Sequence, residues 1–217
     1  MINTKGYQVI EQVFTEEEIS FLREKSFLLF KSGRCFQNSG GWARPDFIKD
    51  ELCVEIVSLL QSKNLESLIS DVVGENVDFV SHNDLHLNRS VGWHKDRLNG
   101  EVNKFEKHSP WDVVDGQSMK IYKCNIYLQD HKQNDDCLTV REGSHLTESM
   151  TEGVVKTLRP SIGDLVVFDQ RLTHKATHSG GYDRLLICLG YGVRNLFFDE
   201  FKKGTIFRQN KQNDNIH

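Results

Sequence analysis

The chain has 217 residues, 38% of them hydrophobic and 27% charged, with a formal net charge of −4. That is enough apolar material for one substantial core, so residues 1–217 read as a single domain with its core over about residues 5–200. A mildly acidic chain presents no basic field for nucleic acid, and no apolar run approaches the ~18 residues that would span a bilayer.

The opening MINTKGYQVIEQ is too polar for a secretion signal. The five cysteines are scattered with no CxxC, and Cys53, Cys124 and Cys188 lie in apolar runs as small core residues. A reducing, cytoplasmic setting is therefore expected, with no obligate protein partner. YQVIEQVF begins a strand; Thr15, three residues before Glu18, forms a capping box for a helix carrying Ile19, Leu22 and Phe27 to Phe30. RCFQNSGGWARP (34–45) reads as a turn-rich loop. DELCVEIVSLLQSK is an amphipathic helix with Leu52, Ile56, Leu59 and Leu60 on one stripe, and a shorter helix runs from Asn64 to Gly74.

After Gly74 the period changes from helical to alternating. VDFVSHNDLHLNR (77–89) reads as a long strand or strand pair, and MKIYKCNIYLQ (119–129) as β-rich. DHKQNDD (130–136) is a turn, CLTVREGSH a strand ending in a loop, and VVKTLRP, DLVVFDQ and RLLICLGYGV are three further strands. The polar stretch RQNKQNDNIH (208–217) is expected to be a frayed tail. Helices first and some seven short strands afterwards predict a mainly β fold with flanking helices: a β-sandwich or jelly roll with the N-terminal helices packed on one face. Residues 97–118 have no period and follow a candidate metal motif; they read as a lid whose Phe105 and Trp111 cover a substrate, or as a surface insertion.

The motif is GWHKD, with His94 and Asp96 two apart. In a strand such residues share a face, but a chain of this composition supplies about one His-x-Asp by chance, and His82-Asn83-Asp84 has the same spacing. A third ligand separates the two. In GDLVVFDQRLTHKATHSGGYDRLLI a hydrophobic strand leads to His174, with His178 close behind, and a turn leads to Arg184 at the start of another strand. Two histidines and a carboxylate form the facial triad of non-heme Fe(II) sites, and an arginine fork suits a carboxylate. His82 and His86 lie on one strand face and read equally as substrate contacts or as structural residues; His145 reads as a loop-fixing residue.

Taken in order, GWHKD, NIYLQDHKQNDDCLTVREGSH and GDLVVFDQRLTHKATHSGGYDR resemble the phytanoyl-CoA dioxygenase-like family of Fe(II)/2-oxoglutarate oxygenases, as does KGYQVIEQVFTEEEISFLRE. The resemblance covers most of residues 5–192 and implies a double-stranded β-helix (jelly-roll) core. It makes His94, Asp96 and His174 the iron ligands, with Arg184 clamping the far carboxylate of 2-oxoglutarate. Asn125 borders the co-substrate in this reading, and a satisfied strand amide is the alternative. The implied chemistry uses Fe(II), 2-oxoglutarate and O2 to oxidise a small molecule, by default hydroxylating it, with release of succinate and CO2. The rival is a cupin-like, isomerase-type or non-catalytic metal-binding jelly roll; the His-x-His cluster such proteins carry is absent here.

Overall fold

The computed structural model describes residues 2–38, 40–131, 136–214 and 216. In chain order its elements are α1 (Ile2–Lys5), β1 (Tyr7–Ile10), α2 (Glu16–Lys31), β2 (Phe36–Asn38), β3 (Gly41–Pro45), α3 (Val54–Ser62) and α4 (Leu65–Val73). Then follow β4 (Asp78–Leu87), β5 (Val91–His94), β6 (Val113–Val114), β7 (Gln117–Ser118), β8 (Ile121–Tyr127), β9 (Leu138–Glu142) and β10 (Val154–Thr157). The last are β11 (Leu165–Asp169), β12 (His174–Ala176), β13 (Leu185–Gly192) and α5 (Leu196–Asn213). No helix is long and apolar enough to cross a membrane among the described residues.

Local chemistry sets several boundaries. The Thr15 hydroxyl accepts from the Glu18 N–H while the Glu18 carboxylate accepts from the Thr15 N–H, which satisfies two otherwise orphaned donors and starts α2. Gly74, at φ +80°, closes α4 in the left-handed conformation that glycine adopts without penalty. Within 34–45, β2 pairs with β3, where the Gly and Pro content predicts only turns. The turn expected over 130–136 falls mainly on residues 132–135, outside the described residues.

The strands form three antiparallel sheets. Seven strands run in the order β1-β11-β8-β13-β4-β3-β2, four in the order β10-β9-β12-β5, and β6 and β7 pair alone. The expected jelly-roll barrel is therefore corrected: this is a mixed α/β fold of open sheets, with no strand pairing joining the two larger ones among the described residues. The physical reason is unequal growth. β1 adds to one edge of the large sheet and the β2–β3 pair to the other, so it reaches seven strands while its partner stops at four. Alternating hydrophobicity specifies which face of a strand is buried, and says nothing about which strand lies beside it.

The large sheet separates two environments. Leu85 of β4, Cys124 and Ile126 of β8, Val167 of β11, and Leu185, Ile187 and Leu189 of β13 pack against Ile19, Leu22 and Leu29 of α2, Ile56 of α3 and Ile69 of α4. The alternate residues face the other way. Tyr127, Val166, Phe168 and Leu186 meet Leu138 and Val140 of the small sheet, while Val80 and Ile121 meet Phe197, Phe198 and Phe201 of α5. Period-two alternation thus places His82, Asp84, His86, Lys123, Asn125 and Cys188 on the face that looks into the space between the layers.

Helix α5 departs from the sequence expectation of a frayed 208–217 tail. It starts at Asn195, whose side chain accepts from the Phe198 N–H, and continues to Asn213 with Gln209 buried. Its stripe of Phe197, Phe198, Phe201 and Thr205 is buried on the sheet. Gly204 lets residues 98–102 approach closely, since a Cβ there would stand 2.6 Å from a Leu98 methyl.

Candidate active site

His94 ends β5 and His174 opens β12, and the two are directly paired across the small sheet. Their rings lie 4.2 Å apart between centroids. Asp96 follows two residues after His94, its N–H bonded to the Gln170 carbonyl at 3.0 Å. His94 Nε2 is 3.5 Å from one Asp96 carboxylate oxygen and His174 Nε2 is 3.9 Å from the other. One donor atom from each of the three residues lies within 4.8 Å of the other two, a span that a single metal ion can bridge.

The histidines are oriented for this. His94 Nδ1 meets the Gly92 carbonyl at 2.7 Å and His174 Nδ1 meets the Leu172 carbonyl at 2.9 Å. A proton on each Nδ1 satisfies these carbonyls and turns both Nε2 atoms toward Asp96, the orientation that suits metal-binding imidazoles. Burial works to raise the Asp96 carboxyl, but Lys123 and the two histidines outweigh it and hold it well below the usual carboxylate range. Burial pushes His174 down to about 4 against the pull of Asp96. For His94 burial also lowers, but the Asp96 carboxylate beside it prevails and raises the ring above its ordinary value. The site therefore presents an ionised carboxylate between two imidazoles.

The triad lines a cavity of about 410 Å³, in the range of small-molecule sites. Arg184, just before β13, lines it too and is only 2% exposed. Its Nε donates to the Asp136 carbonyl at 2.9 Å and one terminal nitrogen to the Arg89 carbonyl at 3.2 Å. Among the described residues, the other terminal nitrogen is buried without a hydrogen-bond partner, as are the Tyr127 hydroxyl and the Asn125 side-chain oxygen, all from residues lining the same cavity. Orphaned buried polar groups are costly, and a guanidinium facing a hydroxyl and an amide fits a carboxylate guest. The Arg184 guanidinium carbon also stands 5.5 Å from the centre of the Tyr127 ring, which braces it.

The second His-x-Asp motif lies in the same cavity with a different fate. Arg208 of α5 pairs with the Asp84 carboxylate at 3.1 Å and faces His82 Nδ1 at 3.1 Å. Lys123 Nζ lies 2.8 Å from His82 Nε2, and an Arg89 terminal nitrogen lies 2.9 Å from His86 Nε2. Burial pushes His86 down to about 4 and His82 well below its ordinary value, the latter with help from Lys123.

All five sequence-predicted residues, His94, Asp96, His174, Arg184 and Asn125, line the one cavity. Phe105 and Trp111 do not line it: Phe105 packs on Phe207 of α5, and the Trp111 indole donates to the His145 carbonyl. From segment 97–118 it is Arg97, together with Leu98, Asn99 and Val102, that reaches the cavity. Sequence reasoning missed Lys123, Tyr127, Arg89 and Arg208. Lys123 and Tyr127 were accessible to it, since they flank Asn125 at period two.

Comparison with known proteins comes from structure alone: no protein-family model matches the chain, and no curated protein matches its sequence. The fold is similar to AviO1 from Streptomyces viridochromogenes Tue57, with a TM-score of 0.67, 21% identity, and 88% of this chain and 91% of that one covered. It is also similar to HygX from Streptomyces hygroscopicus, solved with nickel and 2-oxoglutarate bound, at a TM-score of 0.64 and 18% identity over 88% of this chain and 84% of that one. A third is SnoN, a non-heme alpha-ketoglutarate-dependent epimerase from nogalamycin biosynthesis, at 0.67 and 14% over 88% and 80%. At these identities the likeness establishes the fold alone.

Proposed function

We propose that the protein is an Fe(II)- and 2-oxoglutarate-dependent dioxygenase that oxidises a small-molecule metabolite, by hydroxylation as the default outcome. The observation that carries this is the convergence of His94, Asp96 and His174 in one cavity with a buried arginine, one of whose terminal nitrogens has no hydrogen-bond partner among the described residues. His94, Asp96 and His174 would hold the iron, and Arg184 with Tyr127 and Asn125 would hold 2-oxoglutarate. Together with O2, these groups when bound supply oxidising power, with succinate and CO2 as the by-products.

The chain's own part is geometric and electrostatic. The Gly92 and Leu172 carbonyls hold Nδ1 of His94 and His174 as donors, so Nε2 is the nitrogen that each ring would present to a cation. Asp96 supplies a negative charge that is already ionised. The Asp136 and Arg89 carbonyls hold the Arg184 fork in place before any anion arrives, which reduces the ordering cost of binding. Phe168 packs edge-on to His174 at 4.9 Å, and Leu138 and Leu186 wall the cavity with hydrocarbon, limiting the access of water.

Arg184→Ala tests the reading. It should weaken 2-oxoglutarate binding by roughly a hundred- to several-thousandfold, from about 3–5 kcal/mol for a buried charge left unpaired. Mn(II) affinity should stay as in the wild type, and Arg184→Lys should recover only part of the loss because a point charge replaces a fork. Equal 2-oxoglutarate binding by Arg184→Ala and wild type would mean either that another residue is the clamp or that this is not a 2-oxoglutarate enzyme. Succinate release against a panel of small metabolites then identifies what is oxidised.

A further inference from the structure

The proposed function uses one end of the cavity and leaves the other unexplained. Arg184 precedes β13, whereas Lys123 of β8 is paired with Gly190 near the far end of the same strand. Six residues of extended chain separate those levels by roughly 20 Å, more than one small dicarboxylate spans. Arg184 and Lys123 therefore enter the cavity from different levels of the sheet.

Lys123 is only 3% exposed, has no carboxylate within salt-bridge distance among the described residues, and lines the cavity. It reaches His82 across β13 because residue 190 is glycine; a Cβ there would lie 2.8 Å from the His82 Cβ and from a Val80 methyl. Arg208 approaches the same imidazole from α5, on the opposite ring nitrogen. A neutral imidazole has one acceptor and one donor, so it cannot accept from both cations at once. Burial and the two cations keep His82 from gaining a proton, and a proton would only remove its remaining acceptor. Arg208 has Asp84 as an alternative acceptor. Lys123 has none among the described residues, and its ammonium group, in a residue that lines the cavity, retains unfilled donor capacity.

The charge balance agrees. Five cations line the cavity (Arg89, Arg97, Lys123, Arg184 and Arg208) against two carboxylates, Asp84 and Asp96. Glu106, bonded to Arg97, offsets one more. A divalent metal and a doubly charged co-substrate cancel one another, so the excess of positive charge persists in the loaded site. Around the Lys123 end, Leu98, Val102 and Phe201 supply an apolar wall.

We infer that the substrate is a small amphipathic acid, whose carboxylate or phosphate is bound by Lys123 and Arg208 while its hydrocarbon lies against Leu98, Val102 and Phe201. This rests on the oxygenase reading above for the meaning of "substrate", but the anion site itself does not. A substrate carrying such a group would enter the cavity tethered at the end opposite the co-substrate, with its body directed past the triad.

The test uses the full chain loaded with Mn(II) and saturating 2-oxoglutarate under anaerobic conditions, so that the Arg184 end is filled. Calorimetric titration with phenyl phosphate, phenylacetate, benzyl alcohol and benzylamine compares one ring with four head groups. At least one anion should bind about ten- to a hundredfold more tightly than the alcohol, the range expected of one charge-assisted hydrogen bond. The stronger of the two anions distinguishes phosphate from carboxylate. Lys123→Gln should abolish that margin and Lys123→Arg should keep it, with thermal midpoints confirming that both variants fold. The inference is overturned if neither anion binds, if the alcohol or amine binds as well, or if Lys123→Gln keeps the margin. It is also overturned if Lys123→Gln weakens 2-oxoglutarate instead, since Lys123 then serves the co-substrate. Failure of 2-oxoglutarate to load would sink the oxygenase reading alone; the same titrations on unloaded Arg184→Ala protein would still decide the Lys123 site.

Discussion

Two His/Asp groups stand in one cavity, and the same residue types do different things in each. In the first, His94 and His174 come from separate strands and Asp96 from the loop beside them; each ring is held by a carbonyl on Nδ1, and the Nε2 atoms and the carboxylate face one another. In the second, His82, Asp84 and His86 come from alternate positions of one strand, and their acceptors are already occupied by Lys123, Arg208 and Arg89. A metal needs convergent, unoccupied lone pairs. The difference is that carbonyls hold the histidines of the first group, whereas cations face those of the second, so only the first leaves Nε2 atoms open to a metal.

The largest effect should come from breaking that difference at the carboxylates. Asp96→Ala should weaken Mn(II) or Fe(II) binding by more than about a hundredfold, because even residues behind the ligands cost ~10–100-fold when removed. Asp84→Ala should leave metal affinity unchanged. The opposite ranking in a metal titration would move the centre to β4. Next in size is the ion pair of the second group. Arg208→Leu leaves the buried Asp84 carboxylate without its guanidinium, and about 2–3 kcal/mol of folding stability should be lost, below the full buried-pair value because Arg208 is partly exposed. Denaturant unfolding measures this, and an unchanged midpoint would mean that water already compensates Asp84.

How far the sequence discloses these two groups depends on the kind of information each requires. Alternation along Ile121–Tyr127 is local, so the shared face of Lys123, Asn125 and Tyr127 can be read directly, as can the capping box at Thr15. The pairing of His94 with His174 is a contact between strands eighty residues apart, which spacing alone cannot supply; the order of the motif blocks stands in for it. Sheet closure is misread for the same reason, since alternation fixes faces and not neighbours. Arg208 is hidden differently. Helix α5 buries Phe197, Phe198 and Phe201, but from residue 208 its sequence is polar, so 208–217 reads as a tail although Arg208 and Gln209 both face inward.

A smaller effect separates the groups by acidity. His86 is pushed down to about 4 by burial first and Arg89 second, against an ordinary value of 6.5. A depressed histidine contributes stability that is complete above 6.5 and is lost as the pH falls towards 4, because the unfolded chain takes up the proton first. In metal-free protein with chelator present, His86→Gln should therefore flatten the pH dependence of stability across that window by up to about 1.4 kcal/mol per pH unit. Identical slopes for variant and wild type would show that His86 is protonated in the folded state, and that the cationic neighbours do not control this strand.

The smallest expected effect is at His178, and it tests whether the first group is complete. His178 lies four residues beyond His174 and would be an equally acceptable ligand by residue type. Its backbone N–H bonds Ser90 Oγ at 2.9 Å, its ring meets Tyr182 edge-on at 5.3 Å, and its Nδ1 stands 3.8 Å from the Asp136 carboxylate. Those contacts fasten the loop after β12, and His178 is not among the residues whose donors converge with Asp96. His178→Gln should therefore cost only the aromatic contact, about 0.5–1.5 kcal/mol of stability, and leave metal affinity at the wild-type value. His174→Gln, in contrast, should lose the metal. Should His178→Gln lose it as well, the loop would have to rearrange on metal binding, and the tie between His174 and the Leu172 carbonyl would no longer be what selects the ligand.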